Sequence, residues 1–280
     1  MKVLITGAGG MLGTDIHKVF SSDCNVTALK RDELDIADAG AVFRTVAEES
    51  PDIVVNCAAY TKVDECETET DTAYSVNGYG AGNIAAACAE AGSRLVHIST
   101  DYVFDGYKKE PYIEDDLTNP SSVYGRSKLL GEDCVRRFCG RHYIVRTQWL
   151  FGENGGNFVK TMLRLALVGG AIRVVNDQFG SPTYTHDLAG AIHELVQRPA
   201  YGTYHLTNAG VCSWFDLARE IFRLSGIDRD VTPCTTEEFP RPAKRPPYSA
   251  LDNLHHRLAG GSPLRCYGEA LSDYLKAIRS

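Results

Sequence analysis

The chain has no uninterrupted apolar run near 18 residues, so a membrane-spanning helix is not expected. Cations are not in surplus either. The 29 Lys and Arg face 36 Asp and Glu, and a formal charge of -7 gives a field that repels polyphosphate, which excludes nucleic acid as an expected partner. The nine cysteines include no C-x-x-C pair and no zinc-like spacing with histidine, so reduced thiols are expected and no metal ligands are assigned. No charged-then-apolar leader precedes the first apolar strand, and the expectation is a soluble, cytoplasmic protein without a membrane partner. Internal repeats and low-complexity tracts are missing too. What is present is ordinary globular material, 44% hydrophobic and 23% charged, and 280 residues of it suffice for one large core with a smaller lobe.

Short apolar runs alternate with amphipathic stretches over the first half of the chain. The pattern predicts strands at 3–6, 26–29, 53–56, 94–98 and 143–146, and helices at 11–20, 37–48, 71–91 and 123–138. Strands this apolar have no wet face, and their alternation with long helices implies a parallel sheet covered on both sides: an α/β, Rossmann-type doubly wound fold. Beyond residue 150, Gly- and Pro-rich stretches at 152–156, 180–182 and 239–247 interrupt the rhythm. Helical patterns at 185–196, 214–224 and 267–278, with strand candidates at 173–176 and 204–207, suit a smaller lobe. The expected division is a dinucleotide-binding domain over 1–150, to which 183–207 returns, and a substrate-binding lobe made of 151–182 and 208–280.

Between the first strand and the first helix, Gly7, Gly10 and Gly13 recur at every third position. Glycine there permits the tight turn, the approach of backbone to a pyrophosphate and close packing of helix on sheet, while the helix start offers unpaired N–H groups. A dinucleotide held by Gly7, Gly10, Met11, Leu12 and Gly13 is the expected ligand. At the end of the second strand, where an NAD-preferring chain presents a carboxylate to the ribose, stand Lys30 and Arg31. They make NADPH the preferred cofactor and NADH the second choice, although two such cations also serve as a solubilising strand end. Asp35 and Ile36 fall where an adenine edge would lie. Ala58, Ala59, Tyr60 and Thr61 follow the third strand, at the sheet edge where ligands of open α/β sheets bind.

Tyr124 and Lys128 are four apart in a predicted helix, so phenol and ammonium share a face. An ammonium at roughly 4 Å is worth on the order of 4 kcal/mol at an intermediate dielectric, and a fraction of that would lower the phenol's pKa toward the working range of a general acid or base. Ser99-Thr100-Asp101 ends the preceding strand at the same sheet edge. A hydroxyl there, Thr100 in preference to Ser99, can hydrogen-bond a carbonyl oxygen beside Tyr124, or merely cap the turn. Asp101 can bind a substrate hydroxyl or cap locally.

With the glycine loop, residues 99–106 and Tyr124 to Lys128 in this order, the chain resembles the extended short-chain dehydrogenases and, more narrowly, the dTDP-4-dehydrorhamnose reductase family. The likeness continues through 56–64, 145–152, 157–162, 175–183 and 245–249. The resemblance implies NAD(P)H-dependent reduction of the C4 ketone of a nucleotide-linked 6-deoxysugar. In it Tyr124 is the proton donor, Lys128 binds the nicotinamide ribose, Thr100 polarises the ketone and Trp149 contacts the substrate, although a tryptophan there also serves as a core aromatic. It further implies a monomer or weak homodimer, sometimes with magnesium. The chain departs from the family pattern at Met11, where glutamine is usual, at Gln148, where serine or threonine precedes the tryptophan, and at Tyr267, where tryptophan is common.

Two other readings share these residues. A nucleotide-sugar epimerase or 4,6-dehydratase would use the same scaffold, but dehydratases follow the Thr-Asp pair with glutamate and here Tyr102 stands there. A non-catalytic regulatory subunit would be signalled by loss of the tyrosine or lysine, and both are present. Elsewhere His97 reads as a satisfied core histidine, His255 and His256 as helix surface, and the acidic run 65–71 as a solvated loop. Arg241, Lys244 and Arg245 either steer a nucleotide diphosphate or decorate the surface.

Overall fold

The strand β1 (Lys2–Thr6) is buried from Val3 onward because other strands flank it and helices cover both its faces. The computed structural model describes residues 1–279. α1 (Met11–Phe20) leads to β2 (Asn25–Leu29), and α2 (Ala39–Glu49), capped by the Asp38 carboxylate, leads to β3 (Ile53–Asn56). α3 (Thr70–Ala73) runs through a π-helical stretch, Tyr74–Gly80, into α4 (Ala81–Ala91), so the helix predicted over 71–91 is not uniform. A π turn accommodates an extra residue, and Asn77 within it bonds out of the helix, to Tyr60 and to Ser127. β4 (Arg94–Thr100), α5 (Val123–Phe138) and β5 (His142–Thr147) complete the alternation.

Shorter elements follow. β6 (Leu150–Phe151), α6 (Phe158–Val168), β7 (Ile172–Val175), β8 (Phe179–Gly180) and β9 (Thr183–Tyr184) precede α7 (Thr185–Leu195) and β10 (Gly202–His205). Then come β11 (Cys212–Ser213), α8 (Trp214–Ser225), β12 (Val231–Cys234), α9 (Leu254–Leu258) and α10 (Tyr267–Ala277).

The main sheet is parallel throughout, in the order β10-β5-β4-β3-β1-β2. One face is covered by α1 and α7 through Leu12, Ile16, Phe20, Leu188 and Ile192, and the other by α2, α4 and α5 through Val42, Val46, Ile84, Cys88 and Val135. This is a doubly wound Rossmann-like sheet. The order in which strands are added reverses between β1 and β3, and the crevice beyond their carboxyl ends is where such sheets take ligands. A separate core of Phe151, Val159, Met162, Leu217, Ile221, Leu271 and Tyr274 joins α6, α8 and α10. The segment around Ser249 crosses back to the sheet, with Tyr112 donating to the Ala250 carbonyl at 2.8 Å and Leu251 packing on Phe104.

Three readings of polar residues need correction. His256 lies at 1% exposure with its Nε2 3.0 Å from the Ser262 carbonyl, because α9 turns that side inward. The acidic run contains a short 3₁₀ turn and the start of α3, and Glu67 in it accepts the N–H of Val123 at 2.8 Å. His97 pairs one ring nitrogen with Asn56 at 3.2 Å, but its Nε2 has no partner among the described residues. No helix among them is long and apolar enough to cross a membrane.

Candidate active site

A cavity of about 770 Å³ opens at the carboxyl ends of β1, β3, β4 and β5. Its head is the turn into α1. Gly7 has φ +67°, and a Cβ on it would stand 2.6 Å from the Ala58 nitrogen; one on Gly13 would stand 2.5 Å from the Gly7 carbonyl oxygen. Only bare backbone packs this tightly. Gly10 caps α1 with no side-chain bond, which leaves the first-turn N–H groups to an acceptor from outside the helix. The cradle therefore suits a pyrophosphate.

Gly7, Gly10, Met11, Leu12 and Gly13 line the cavity at this head, Lys30 and Arg31 beyond β2, then Asp35 and Ile36. Ala58, Ala59, Tyr60 and Thr61 line it beyond β3, and Thr100, Asp101, Tyr124, Lys128 and Trp149 at its deeper end. The sequence candidates for cofactor, catalysis and substrate thus meet in one place. Arg241 and Arg245 do not line it: both pair with Asp64, the former at 2.8 Å. Lys244 instead donates to the Tyr107 hydroxyl at 3.0 Å. Away from the cavity, Asp23 lies within ligand reach of Cys24 and His193, but its Oδ1 already serves both, at 3.2 and 3.0 Å.

Tyr124 and Lys128 project from the first two turns of α5, whose start is held twice. Ser122 accepts the Gly125 N–H at 3.1 Å and Glu67 accepts that of Val123. The Lys128 ammonium donates to the Ile98 carbonyl at 2.6 Å, and burial lowers its pKa to about 8 against the opposing pull of Glu132. Tyr124 behaves contrary to expectation. Its phenol is pushed up, by burial first and by Asp101 second, with the Thr100 hydroxyl opposing. Exclusion of water dominates the shift, and the expected lowering by Lys128 is not seen.

Thr100 donates to Asp101 Oδ1 at 2.9 Å and accepts the Tyr102 N–H at 3.2 Å, while the Tyr102 ring meets Tyr124 edge-on at 5.4 Å. Burial raises Asp101 to about 6. Trp149, at φ +48°, stacks on Trp214 with centroids 3.6 Å apart, so α8 supplies a wall of the cavity.

Three parts of this arrangement escaped the sequence reading. Trp214 could be seen only as the first residue of a helix. Asn77 brackets the backbone of Tyr60 at 2.8 and 3.1 Å, and its only sequence signal was an amide in mid-helix. Glu132, fully buried one turn beyond Lys128, accepts from Ser99 at 2.6 Å and from Arg146 at 2.9 and 2.8 Å. Although burial pushes that carboxyl up, Arg146 outweighs it and holds Glu132 at about 2.

The model of the family described as RmlD substrate binding domain matches residues 1–280. A dTDP-4-dehydrorhamnose reductase of Mycolicibacterium smegmatis is 46% identical over 282 residues, 99% of this chain and 86% of the relative. A crystal structure of a dTDP-4-dehydrorhamnose reductase from Clostridium acetobutylicum aligns at a TM-score of 0.98 with 49% identity, covering 100% of both chains. Another from Bacillus anthracis, in complex with NADP, aligns at 0.97 with 42% identity over 99% of each.

Proposed function

Because this chain belongs to the RmlD substrate binding domain family, that of the dTDP-4-dehydrorhamnose reductases, and is a nicotinamide-dependent oxidoreductase, we propose that it reduces the C4 ketone of dTDP-4-dehydro-6-deoxy-L-mannose to dTDP-L-rhamnose. The observation that carries this reading is the meeting of Thr100, Tyr124 and Lys128 in one cavity below a glycine cradle. The residues present suit NADPH: Gly7, Gly10 and Gly13 leave room for the pyrophosphate, and Lys30 and Arg31 stand where a ribose 2′-phosphate needs cations. NADH lacks that phosphate and is the poorer partner. Bound there, the cofactor supplies a hydride.

The chain's own groups do the rest. The Thr100 hydroxyl, which donates to Asp101 Oδ1 in the free protein, turns to donate to the ketone oxygen and draws electron density toward it. Tyr124, held protonated by burial, passes its phenolic proton to that oxygen as it becomes an alkoxide, a far stronger base than phenolate. Lys128, cationic below about pH 8, binds the nicotinamide ribose hydroxyls and places a positive charge near the phenolate left behind. Trp149 and Trp214 offer a flat aromatic wall to the sugar or the base.

Purified protein mixed with this ketosugar should oxidise NADPH, with a higher kcat/KM than for NADH. Tyr124→Phe should lower kcat on the order of 100-fold or more with KM little changed. A variant as fast as the parent would remove Tyr124 from the mechanism, and an inert parent protein would remove the reduction itself.

A further inference from the structure

The far end of α1 carries a second group of reactive side chains, none of which lines the cavity. Asp23 and Cys24 stand in the turn between α1 and β2, and His193 faces them from α7. A carboxylate, a thiol and an imidazole meet there, their ligand atoms all within 4.8 Å of one another. Asp23 Oδ1 lies 3.2 Å from Cys24 Sγ and 3.0 Å from His193 Nε2. A zinc ion that holds oxygen and nitrogen at about 2.1 Å and sulfur at about 2.3 Å gives a tetrahedron whose oxygen–nitrogen edge is roughly 3.3 Å and whose edges to sulfur are roughly 3.6 Å. Two edges are therefore nearly in place. The third, from sulfur to nitrogen, has to close by about 1.2 Å at most, a small movement when three side chains share it. The surrounding fold fixes the frame: the Cys24 N–H donates to the Phe20 carbonyl at 2.9 Å, and the Phe20 ring meets His193 edge-on at 4.8 Å.

We propose that Asp23, Cys24 and His193 bind a divalent transition-metal ion of the zinc type, with water in the fourth position and the thiol proton released to solvent. The donor set decides the class. Magnesium and calcium take oxygen ligands, whereas thiolate sulfur and imidazole nitrogen suit zinc. Carboxylate and thiolate together offset both charges of the ion. The Asp23 side chain is 54% exposed, so the fourth position opens to water. In the ion-free protein the contacts of Asp23 Oδ1 hold its two partners beside it, which leaves little ordering for the metal to impose. The ion ties the end of α1 to α7, about 15 Å of helix away from the glycine cradle, and acts on stability and not on the reaction.

Protein stripped of metal by a chelator and titrated with cobalt(II), which absorbs where zinc is silent, tests the site. A thiolate-to-cobalt charge-transfer band and tetrahedral d–d absorption should grow and saturate at one equivalent, and added zinc should abolish both. Cys24→Ser should remove the charge-transfer band. His193→Ala should weaken cobalt binding by about 100-fold or more, since losing a group that merely supports a ligand already costs about 10–100-fold. Zinc should raise the Tm of the parent and leave that of both variants where it was. All three side chains are at least partly exposed, and the variants' own thermal transitions report that they fold. The proposal is overturned by the absence of a charge-transfer band, by a band that survives Cys24→Ser and so belongs to another cysteine, or by a zinc-induced Tm shift equal in parent and variants.

Discussion

Lys128 sets the pH dependence of the site. The residue is 2% exposed, and burial brings its pKa from 10.5 to about 8, so it is charged below that pH and neutral above it. A neutral amine offers the cofactor's ribose no charge-assisted bond, and kcat should therefore fall as pH rises through about 8. Lys128→Arg, whose guanidinium does not titrate in this range, should be slower but should lack that alkaline limb. Rate profiles of the two proteins check this, and a limb that persists unchanged in the variant would assign the ionisation to another group. The neighbouring Tyr124 contributes no such limb near neutrality, because its phenol is shifted upward.

Among the elements, α5 matters most, because Tyr124, Lys128 and Glu132 form one stripe along it. Glu132 fastens this helix to β4 through Ser99 and to β5 through Arg146, while Arg136 reaches the same carboxylate from the surface at 2.6 Å. Breaking a pair buried this deeply leaves an uncompensated charge, so Glu132→Ala should cost about 3–5 kcal/mol in urea unfolding at neutral pH. The sign with pH follows from the depressed pKa. Glu132 is held at about 2 against an unfolded value near 4.3, so its contribution is complete above the latter and is lost as pH falls through the former. The stability gap between the parent and the variant should accordingly narrow below about pH 4. A gap independent of pH would mean that lost packing, and not the ion pair, accounts for the difference. The stripe itself could be foreseen from four-residue spacing, but its partners lie on strands and could not.

At the scale of the molecule, the cavity joins the sheet to the smaller core: the cradle belongs to β1 and α1, the stacked Trp149 and Trp214 to the other side. NADPH at 100 times its Kd should stabilise the fold by about 2.7 kcal/mol, which for a chain of this length raises Tm by roughly 5 °C. A thermal scan that shows no shift would argue against cofactor binding to the folded chain. The strand and helix rhythm, the glycine cradle and the Tyr124–Lys128 face were all readable beforehand, since each depends on spacing within a short stretch of chain and therefore on local backbone geometry. Folding settled what spacing could not. The upward shift of Tyr124, the inward turn of His256, the diversion of Arg241 and Arg245 to Asp64, and the bond between Gln148 and Ser249 all arise where distant segments meet and water is shut out. Solvent exclusion and long-range partners belong to the assembled molecule, and no local pattern of residues encodes them.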